Sequence, residues 1–120
     1  MAKMISIYGI SNCDTVKKAR GWLAEQALSH TFHDFKKQGV PIDRLPAWAS
    51  AVGWDQLLNR RGTTWRKLDA ATQEGTNSPK GAQALMVANP SVIKRPVVEW
   101  QNGDVTVGFD SAQWGEIAAK

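Results

Sequence analysis

The sequence predicts an α/β domain with a mixed four-stranded sheet and a helical insertion. The first third of the chain follows the order strand, helix, strand, which pairs the two strands in parallel through a right-handed crossover. The last quarter contains two strands around Asn102-Gly103, a dipeptide typical of tight two-residue hairpins. The 120 residues fit one domain, 1–120, with one core, and the insertion is expected at about 41–88.

The first strand and the first helix are predicted within Met4–Leu28. The apolar run Met4–Tyr8 has the length and residue types of a buried strand. Gly9–Asn12 supplies a turn, and from Asp14 onwards apolar residues recur at helical spacing. The positions of this stripe are Val16, Ala19, Leu23 and Ala27, widened by Trp22 and Leu28.

The second strand is predicted at Ser29–Phe35, where the side chains of one face are more polar than those of the other. His33 on this strand has a residue type suited to a catalytic base, but we interpret it as a half-exposed strand histidine. Lys36–Val40 is interpreted as a loop.

Three helical stretches are predicted in the insertion. Gly53 ends the first of them as a C-terminal cap. Ser78-Pro79 starts the third, as an N-cap followed by a proline at the first helical position, and Asn89-Pro90 stops it. The stretches are a helix with the apolar stripe Leu45, Trp48, Ala49 and Val52, one or two turns at Trp54–Leu58, and a helix at Lys80–Ala88.

Two strands and a helix are predicted to complete the chain. Val97–Gln101 and Asp104–Val107 are the strands of the hairpin, and Asp110 or Ser111 caps a last helix at Ala112–Ala119. The resulting order is β-α-β, helical insertion, β-β-α. This order is a thioredoxin-like arrangement.

Composition limits the classes of function. The net charge is +4, but the basic residues form no dense run, so nucleic acid is not the expected partner. No apolar run approaches the roughly 18 residues of a membrane span, and the first residues lack the pattern of a signal peptide. We therefore expect a cytoplasmic protein without a membrane partner. One cysteine and two histidines give neither an internal disulfide nor metal-ligand spacing, so no metal is expected.

Cys13, the only cysteine, lies between the first predicted strand and the first predicted helix. The free N–H groups and the dipole at a helix N-terminus favour an anion, so this location stabilises a thiolate. Lys17 follows one helical turn later and can bring a second positive charge to the same face. The alternatives are a small buried apolar residue for Cys13 and a solvated surface residue for Lys17. The placement between strand and helix favours a functional thiol.

Three segments of the chain carry a family resemblance. The first is Tyr8–Arg20 around the thiol, the second is Leu57–Leu68, and the third is Ile93–Val98. Together they resemble the ArsC-like family, and most closely its YffB branch. That family groups glutaredoxin-dependent arsenate reductases, Spx transcription regulators and small thiol reductases. The resemblance covers nearly the whole chain and implies a thioredoxin-like fold with a helical insertion.

The resemblance also implies roles for individual residues. The lone thiol would act as the nucleophile, assisted by the lysine one turn later. The first anion-binding arginine would be Arg61, with Arg60 as the alternative, and the second precedes a proline that is cis in this fold family. Arginine binds carboxylates and oxyanions at two points, which lysine cannot do. The catalytic candidates are therefore Cys13 and Lys17, and the substrate-binding candidates are Asn12, Arg61, Arg95 and Pro96.

Three positions depart from the better-known members of the family. Arsenate reductases of the ArsC type carry an arginine where this chain has Lys17, and a third anion-binding arginine near Gly108. Spx regulators carry a C-x-x-C motif whose second cysteine falls on Val16. We therefore expect chemistry on glutathione mixed disulfides to be stronger than arsenate reduction.

The expected function is that of a thiol-dependent reductase without a bound cofactor. Thiol–disulfide exchange needs a second thiol to release the enzyme, so glutathione as a cosubstrate, or a glutaredoxin, would recycle Cys13. The expected substrate is an anionic small molecule or a disulfide. The alternative is an Spx-like redox or transcription regulator, an adaptor that binds a protein partner without catalysis, as Spx binds RNA polymerase. An adaptor does not need an activated thiol, so thiol reactivity separates the two hypotheses.

Overall fold

The computed structural model describes residues 5–118, and these divide into two compact units. The first unit contains the described residues up to Phe35 and those from Arg95 onwards, and the second is Lys36–Lys94. Each unit has its own elements and its own buried side chains. The hypothesis of a single domain remains a prediction.

Four strands and eight helices follow one another in the described part of the chain. Two short 3₁₀ turns, Gly75–Asn77 and Pro90–Val92, flank the seventh helix. In chain order the elements are β1 (Ile5–Gly9), α1 (Asp14–Glu25), β2 (His30–Asp34), α2 (Phe35–Gln38), α3 (Leu45–Val52), α4 (Trp54–Leu57), α5 (Thr63–Arg66), α6 (Ala70–Glu74), α7 (Pro79–Ala88), β3 (Val97–Glu99), β4 (Val105–Val107) and α8 (Ser111–Ala118).

The first unit is built on one sheet with the strand order β2-β1-β3-β4. β1 pairs in parallel with β2 and antiparallel with β3, and β3 pairs antiparallel with β4. In this register Ile7 lies opposite Phe32 on one side and Val98 on the other. The predicted mixed four-stranded sheet is therefore confirmed, and β1 is one of its two central strands.

One face of this sheet packs against α1 and α8. Ile7 and Val98 are completely buried there together with Leu23 of α1 and Trp114 of α8. The Trp114 ring meets the ring of Trp100 edge to face, with 5.1 Å between the ring centroids. Burial of such large apolar side chains is the main stabilising contribution in a domain of this size. These two tryptophans are core residues.

The second unit is helical, and its two longest helices were predicted from local signals. α3 buries Leu45 and Trp48 and ends at Gly53, whose φ of 87° is one that glycine adopts readily. α7 starts at Pro79, and the Ser78 hydroxyl accepts a hydrogen bond from the Gly81 N–H at 3.1 Å. This is the predicted N-cap with a proline at the first helical position. The turn at α4 is confirmed, whereas α5 and α6 were not predicted individually.

The first helix is shorter than its apolar stripe suggested. α1 ends at Glu25, and Ala27 is exposed with a φ of 56°. The Leu28 N–H donates to the Leu23 carbonyl and the Ala27 N–H to the Ala24 carbonyl, both at 3.0 Å. This pattern closes the helix in a Schellman-type turn, so the prediction that Ala27 belongs to the helical stripe was wrong.

Two other boundaries differ from the predictions, and the contacts at a third decide between two predicted caps. The segment interpreted as a loop at Lys36–Val40 begins inside α2. The hairpin between β3 and β4 is confirmed, but its loop has three residues, Gln101 to Gly103, because Trp100 N–H bonds to the Asp104 carbonyl across it. Asp110, rather than Ser111, caps α8, since its carboxylate accepts from the Ala112 and Gln113 N–H groups. The predicted ends at Met4 and Ala119 lie outside the described residues.

Among residues 5–118, no helix is long and apolar enough to cross a membrane.

Candidate functional site

Cys13 lies at the N-cap of α1, directly after the turn that follows β1. Its thiol is free and half-buried. The backbone holds the residue in place, because the Cys13 N–H donates to the Ile10 carbonyl at 3.2 Å and the Cys13 carbonyl accepts from the Lys17 N–H at 3.0 Å. The Cys13 side chain makes no capping hydrogen bond. The predicted strand–turn–helix placement of the thiol is therefore confirmed, and the sulfur is available at the positive end of a 12-residue helix.

The turn before the thiol depends on a glycine whose role could not be read from the sequence. A Cβ on Gly9 would lie 2.7 Å from the Cγ2 of Val16, closer than side chains approach each other. Val16, in the first turn of α1, is fully buried. Glycine at the end of β1 therefore lets the helix pack closely on the strand that carries the thiol. From the sequence alone, Gly9 was interpreted only as part of a turn.

Asn12 and Lys17 are both exposed near the thiol in the chain. Within the described ranges, the Lys17 ammonium has no acidic partner. Its positive charge is therefore not neutralised by a neighbouring carboxylate. The hypotheses that Lys17 supports a thiolate and that Asn12 contacts substrate remain predictions.

The Arg95–Pro96 peptide bond is cis, as the third motif predicted. Pro96 is buried, and its carbonyl accepts a hydrogen bond from the Gly108 N–H at 2.9 Å. Arg95 is half-buried. Its guanidinium has neither an ion pair nor a hydrogen bond to any residue that the structure describes. A half-buried arginine without an acidic partner is suited to bind an anionic ligand.

The two candidate arginines of the second unit have different surroundings. The Arg60 guanidinium contacts the Asp55 carboxylate, with 2.6 Å between Nη1 and Oδ1, and lies 5.6 Å from the centre of the Trp65 ring. Arg61 is exposed, and only its backbone N–H is engaged, by the Asn59 side-chain oxygen at 3.2 Å. No described residue pairs with the Arg61 guanidinium. These contacts favour Arg61 over Arg60 as the anion-binding residue.

A small polar cavity of about 230 Å³ opens beside these arginines in the second unit. It also receives Lys94, a residue that motif analysis did not single out. No sequence pattern places Lys94 beside Arg61, because the two residues are 33 positions apart in the chain. Backbone pairing brings their segments together. The lining residues are Asp55, Gln56, Leu58, Asn59, Arg60, Arg61 and Lys94.

The predicted site residues are divided between the two units. Asn12, Cys13, Lys17, Arg95 and Pro96 belong to the first unit, and Arg61 belongs to the second. Their convergence on one substrate remains a prediction. On β2, the ring of His33 stacks on the ring of Tyr8, with 4.5 Å between the ring centroids. In the part of the chain with a described structure, no cluster of three or more histidine, cysteine or acidic side chains could hold a metal ion.

Comparison with known proteins identifies the family of this chain. The model of the ArsC family matches residues 8–117, nearly the whole chain. The chain belongs to the ArsC family. The sheet order and the ArsC-type structural neighbours also confirm the predicted thioredoxin-like fold.

Three similar proteins show how close the match is. The structure of a protein named YFFB is 43% identical, with a TM-score of 0.89 and coverage of 95% of this chain and 98% of that one. An arsenate reductase (ArsC) related protein from Brucella melitensis is 43% identical, with a TM-score of 0.74 and coverage of 100% and 98%. An uncharacterised Haemophilus influenzae protein is 40% identical and covers 92% of this chain and 96% of its own length. The resemblance to the YffB branch is therefore confirmed.

More distant relatives include regulators. The global transcriptional regulator Spx of Streptococcus pyogenes is 26% identical over 109 residues, which are 89% of this chain and 79% of that protein. The family thus contains both arsenate reductase-like and Spx-like proteins, and both bear on the function.

Proposed function

We propose that this ArsC-family chain is a thiol-dependent reductase in which Cys13 is the nucleophile. The observation that carries the proposal is the free, half-buried Cys13 thiol at the N-terminus of α1, next to a central strand of the sheet. A thiolate at this position gains from the unpaired N–H groups and the dipole of the helix. The arsenate reductase-related name of the Brucella melitensis protein supports the same class of chemistry.

The proposed substrate is a mixed disulfide between glutathione and a second thiol compound. The Cys13 thiolate attacks the glutathione sulfur, so a bond forms between Cys13 and glutathione while the substrate disulfide breaks. The second compound leaves as a thiolate and takes up a proton. A free glutathione thiolate then attacks the Cys13 mixed disulfide and restores the Cys13 thiolate. The balance is one mixed disulfide reduced to one free thiol, while one free glutathione joins the glutathionyl group of the substrate to form glutathione disulfide.

The remaining candidate residues would hold the anionic parts of this substrate. Arg61 and Arg95 have guanidinium groups without acidic partners in the described structure, so they can bind carboxylates. Lys17 adds a positive charge one turn after Cys13. Asn12 and the backbone around Pro96 would align the substrate. A glutaredoxin in place of free glutathione would serve the same recycling step, and the proposed location is the cytoplasm.

Gly108 supports a disulfide substrate over arsenate. Arsenate reductases of the ArsC type resemble this chain but carry a third anion-binding arginine near this position. Gly108 follows β4 with a φ of 78°, and its N–H is bonded to Pro96. An arginine at this φ is strained by about 1 kcal/mol or more, so the backbone itself is unsuited to the arginine. Each missing bidentate contact removes about 1.5–3 kcal/mol from binding of a small oxyanion.

A paired assay tests this proposal. Equal concentrations of the protein would be given a glutathione mixed disulfide with glutathione, or arsenate with glutathione and glutaredoxin. We expect turnover of the mixed disulfide, weaker or no arsenate reduction, and loss of the first activity in Cys13→Ser. Arsenate reduction without activity on the mixed disulfide would reverse the choice of substrate, and inactivity on both would contradict the reductase.

A second candidate function is an adaptor of the Spx kind. The Spx relatives favour it, and the chain covers 79% of the Streptococcus pyogenes regulator. The redox switch of Spx is not supported, because Val16 occupies the position of the second cysteine and is completely buried. The adaptor requires no thiolate reactivity. A Cys13 that alkylates no faster than free cysteine would favour the adaptor.

A further inference from the structure

The small cavity of the second unit is built on a fixed backbone frame. The Asn59 N–H donates to the Val92 carbonyl at 2.7 Å, and the Lys94 N–H donates to the Leu57 carbonyl at 2.8 Å. Between these bonds Leu58 and Ile93 form an isolated antiparallel bridge. Both of these side chains are buried, with 2% and 0% of their surface exposed. The backbone positions of Asn59 and Lys94, which adjoin this bridge, are therefore fixed.

The charges around the cavity are unbalanced. Arg60, Arg61 and Lys94 line it, and Asp55 is the only carboxylate among the described lining residues. That carboxylate is already paired with Arg60 at 2.6 Å. Lys94 is exposed and, among the residues described, has no acidic partner. Two positive charges thus share one small cavity without compensation, and an anion bound between them would relieve their repulsion.

The geometry points to a carboxylate subsite formed by Arg61 and Lys94, in which Lys94 is a substrate-binding residue. This inference rests on the proposed function, because a carboxylate of the glutathione moiety is the proposed occupant. A carboxylate has two oxygen acceptors, which suit a guanidinium fork on one side and an ammonium on the other. The cavity of about 230 Å³ is below the roughly 300–1,000 Å³ of sites that enclose whole ligands, so it fits one charged end of a longer molecule.

The Asp55–Arg60 pair has a supporting role in this subsite. Asp55 is largely exposed and Arg60 about one-third exposed, so their ion pair alone contributes little stability. Its effect on the ligand is larger, since Asp55 offsets one of three positive charges. Removing the Asp55 charge would release Arg60 and make the cavity more positive. The subsite therefore predicts one variant that weakens binding and one that strengthens it.

Calorimetric titration of the protein with S-methylglutathione tests the subsite, because this ligand cannot exchange disulfides. We expect Lys94→Gln to weaken binding about three- to tenfold and Asp55→Asn to strengthen it about twofold or more. Lys67→Gln is the matched control. It removes the same charge from the same unit at an exposed residue that does not line the cavity.

Two monoesters of S-methylglutathione, each masking one carboxylate, sharpen the test. One ester should bind the unaltered protein more weakly than the parent ligand, and Lys94→Gln should reduce that difference, because only Arg61 then remains to bind the carboxylate. If Lys94→Gln behaves like Lys67→Gln while the unaltered protein binds and turns over its substrate, the subsite is wrong and the proposed function stands. If the unaltered protein does not bind S-methylglutathione at all, the subsite and the proposed glutathione chemistry both fail.

Discussion

At the scale of single residues, the chemistry depends on what surrounds Cys13. The residue occupies the N-cap without using its side chain as a cap, so the unpaired N–H groups of the first turn are not bound by the Cys13 side chain. Lys17 adds a charge that no described carboxylate neutralises. Asp14, also in the first turn, is exposed and of opposite sign. We expect the balance of these charges to influence the reactivity of the thiol.

Lys17→Gln should therefore slow alkylation of Cys13 by iodoacetamide at a fixed neutral pH, by about two- to fivefold, because it removes a cation that favours the thiolate. Lys18→Gln is the control, since Lys18 is the next exposed residue of α1 and points to a different side of the helix. Equal rates in both variants would show that Lys17 does not act on the thiol.

At the scale of elements, local signals predicted the long helices better than the chain reversals. α3 and α7 carry their apolar stripes and caps in contiguous sequence, so both were predicted close to their observed bounds. The end of α1 was not, because Ala27 adopts the backbone conformation that glycine usually supplies. The three-residue hairpin loop also differs from the predicted two-residue turn, since the pairing of Trp100 with Asp104 decides its length.

Ala27→Gly should raise the free energy of unfolding by up to about 1 kcal/mol, because glycine adopts the positive φ of 56° without the Cβ penalty. Chemical denaturation measures this change. Ala24→Gly is the opposite control: Ala24 is exposed inside α1, so glycine there should lower stability by up to about 1 kcal/mol. A loss of stability in Ala27→Gly would contradict the described helix end.

The carboxyl group of Asp69, at the N-cap of α6, should make the stability of this helix depend on pH. Hydrogen bonds from the Thr72 hydroxyl and then from its N–H, the latter at 2.7 Å, hold the pKa of the Asp69 carboxyl below its ordinary value. The folded pKa lies below the unfolded one, so the cap stabilises α6 fully above the unfolded pKa. The contribution is lost as the pH falls through the folded pKa.

Thr72→Val should raise the pKa of Asp69 towards its ordinary value, because the variant keeps the backbone donor and loses the hydroxyl. An NMR titration of the Asp69 carboxyl carbon measures the midpoint directly. A midpoint that does not move would mean that the hydroxyl plays no part in the cap.

At the scale of the whole molecule, the net positive charge belongs to the second unit. Residues 36–94 contain nine lysines and arginines and four acidic residues. The thiol and the cis proline belong to the first unit. Sequence motifs singled out Cys13, Arg61 and Arg95 as candidates, because each lies in a short contiguous pattern of the family. They missed Lys94, whose place beside Arg61 depends on pairing between distant segments, and Gly9, whose need arises from packing against Val16.

Intact-protein mass spectrometry after a single turnover tests whether Cys13 exchanges with a glutathione mixed disulfide. The reduced protein would be mixed with an equal amount of a glutathionylated peptide, without free glutathione. We predict one glutathione on Cys13, release of one equivalent of peptide thiol, and loss of the adduct with formation of glutathione disulfide when glutathione is added. An unmodified protein, or the same adduct in Cys13→Ser, would contradict the claim.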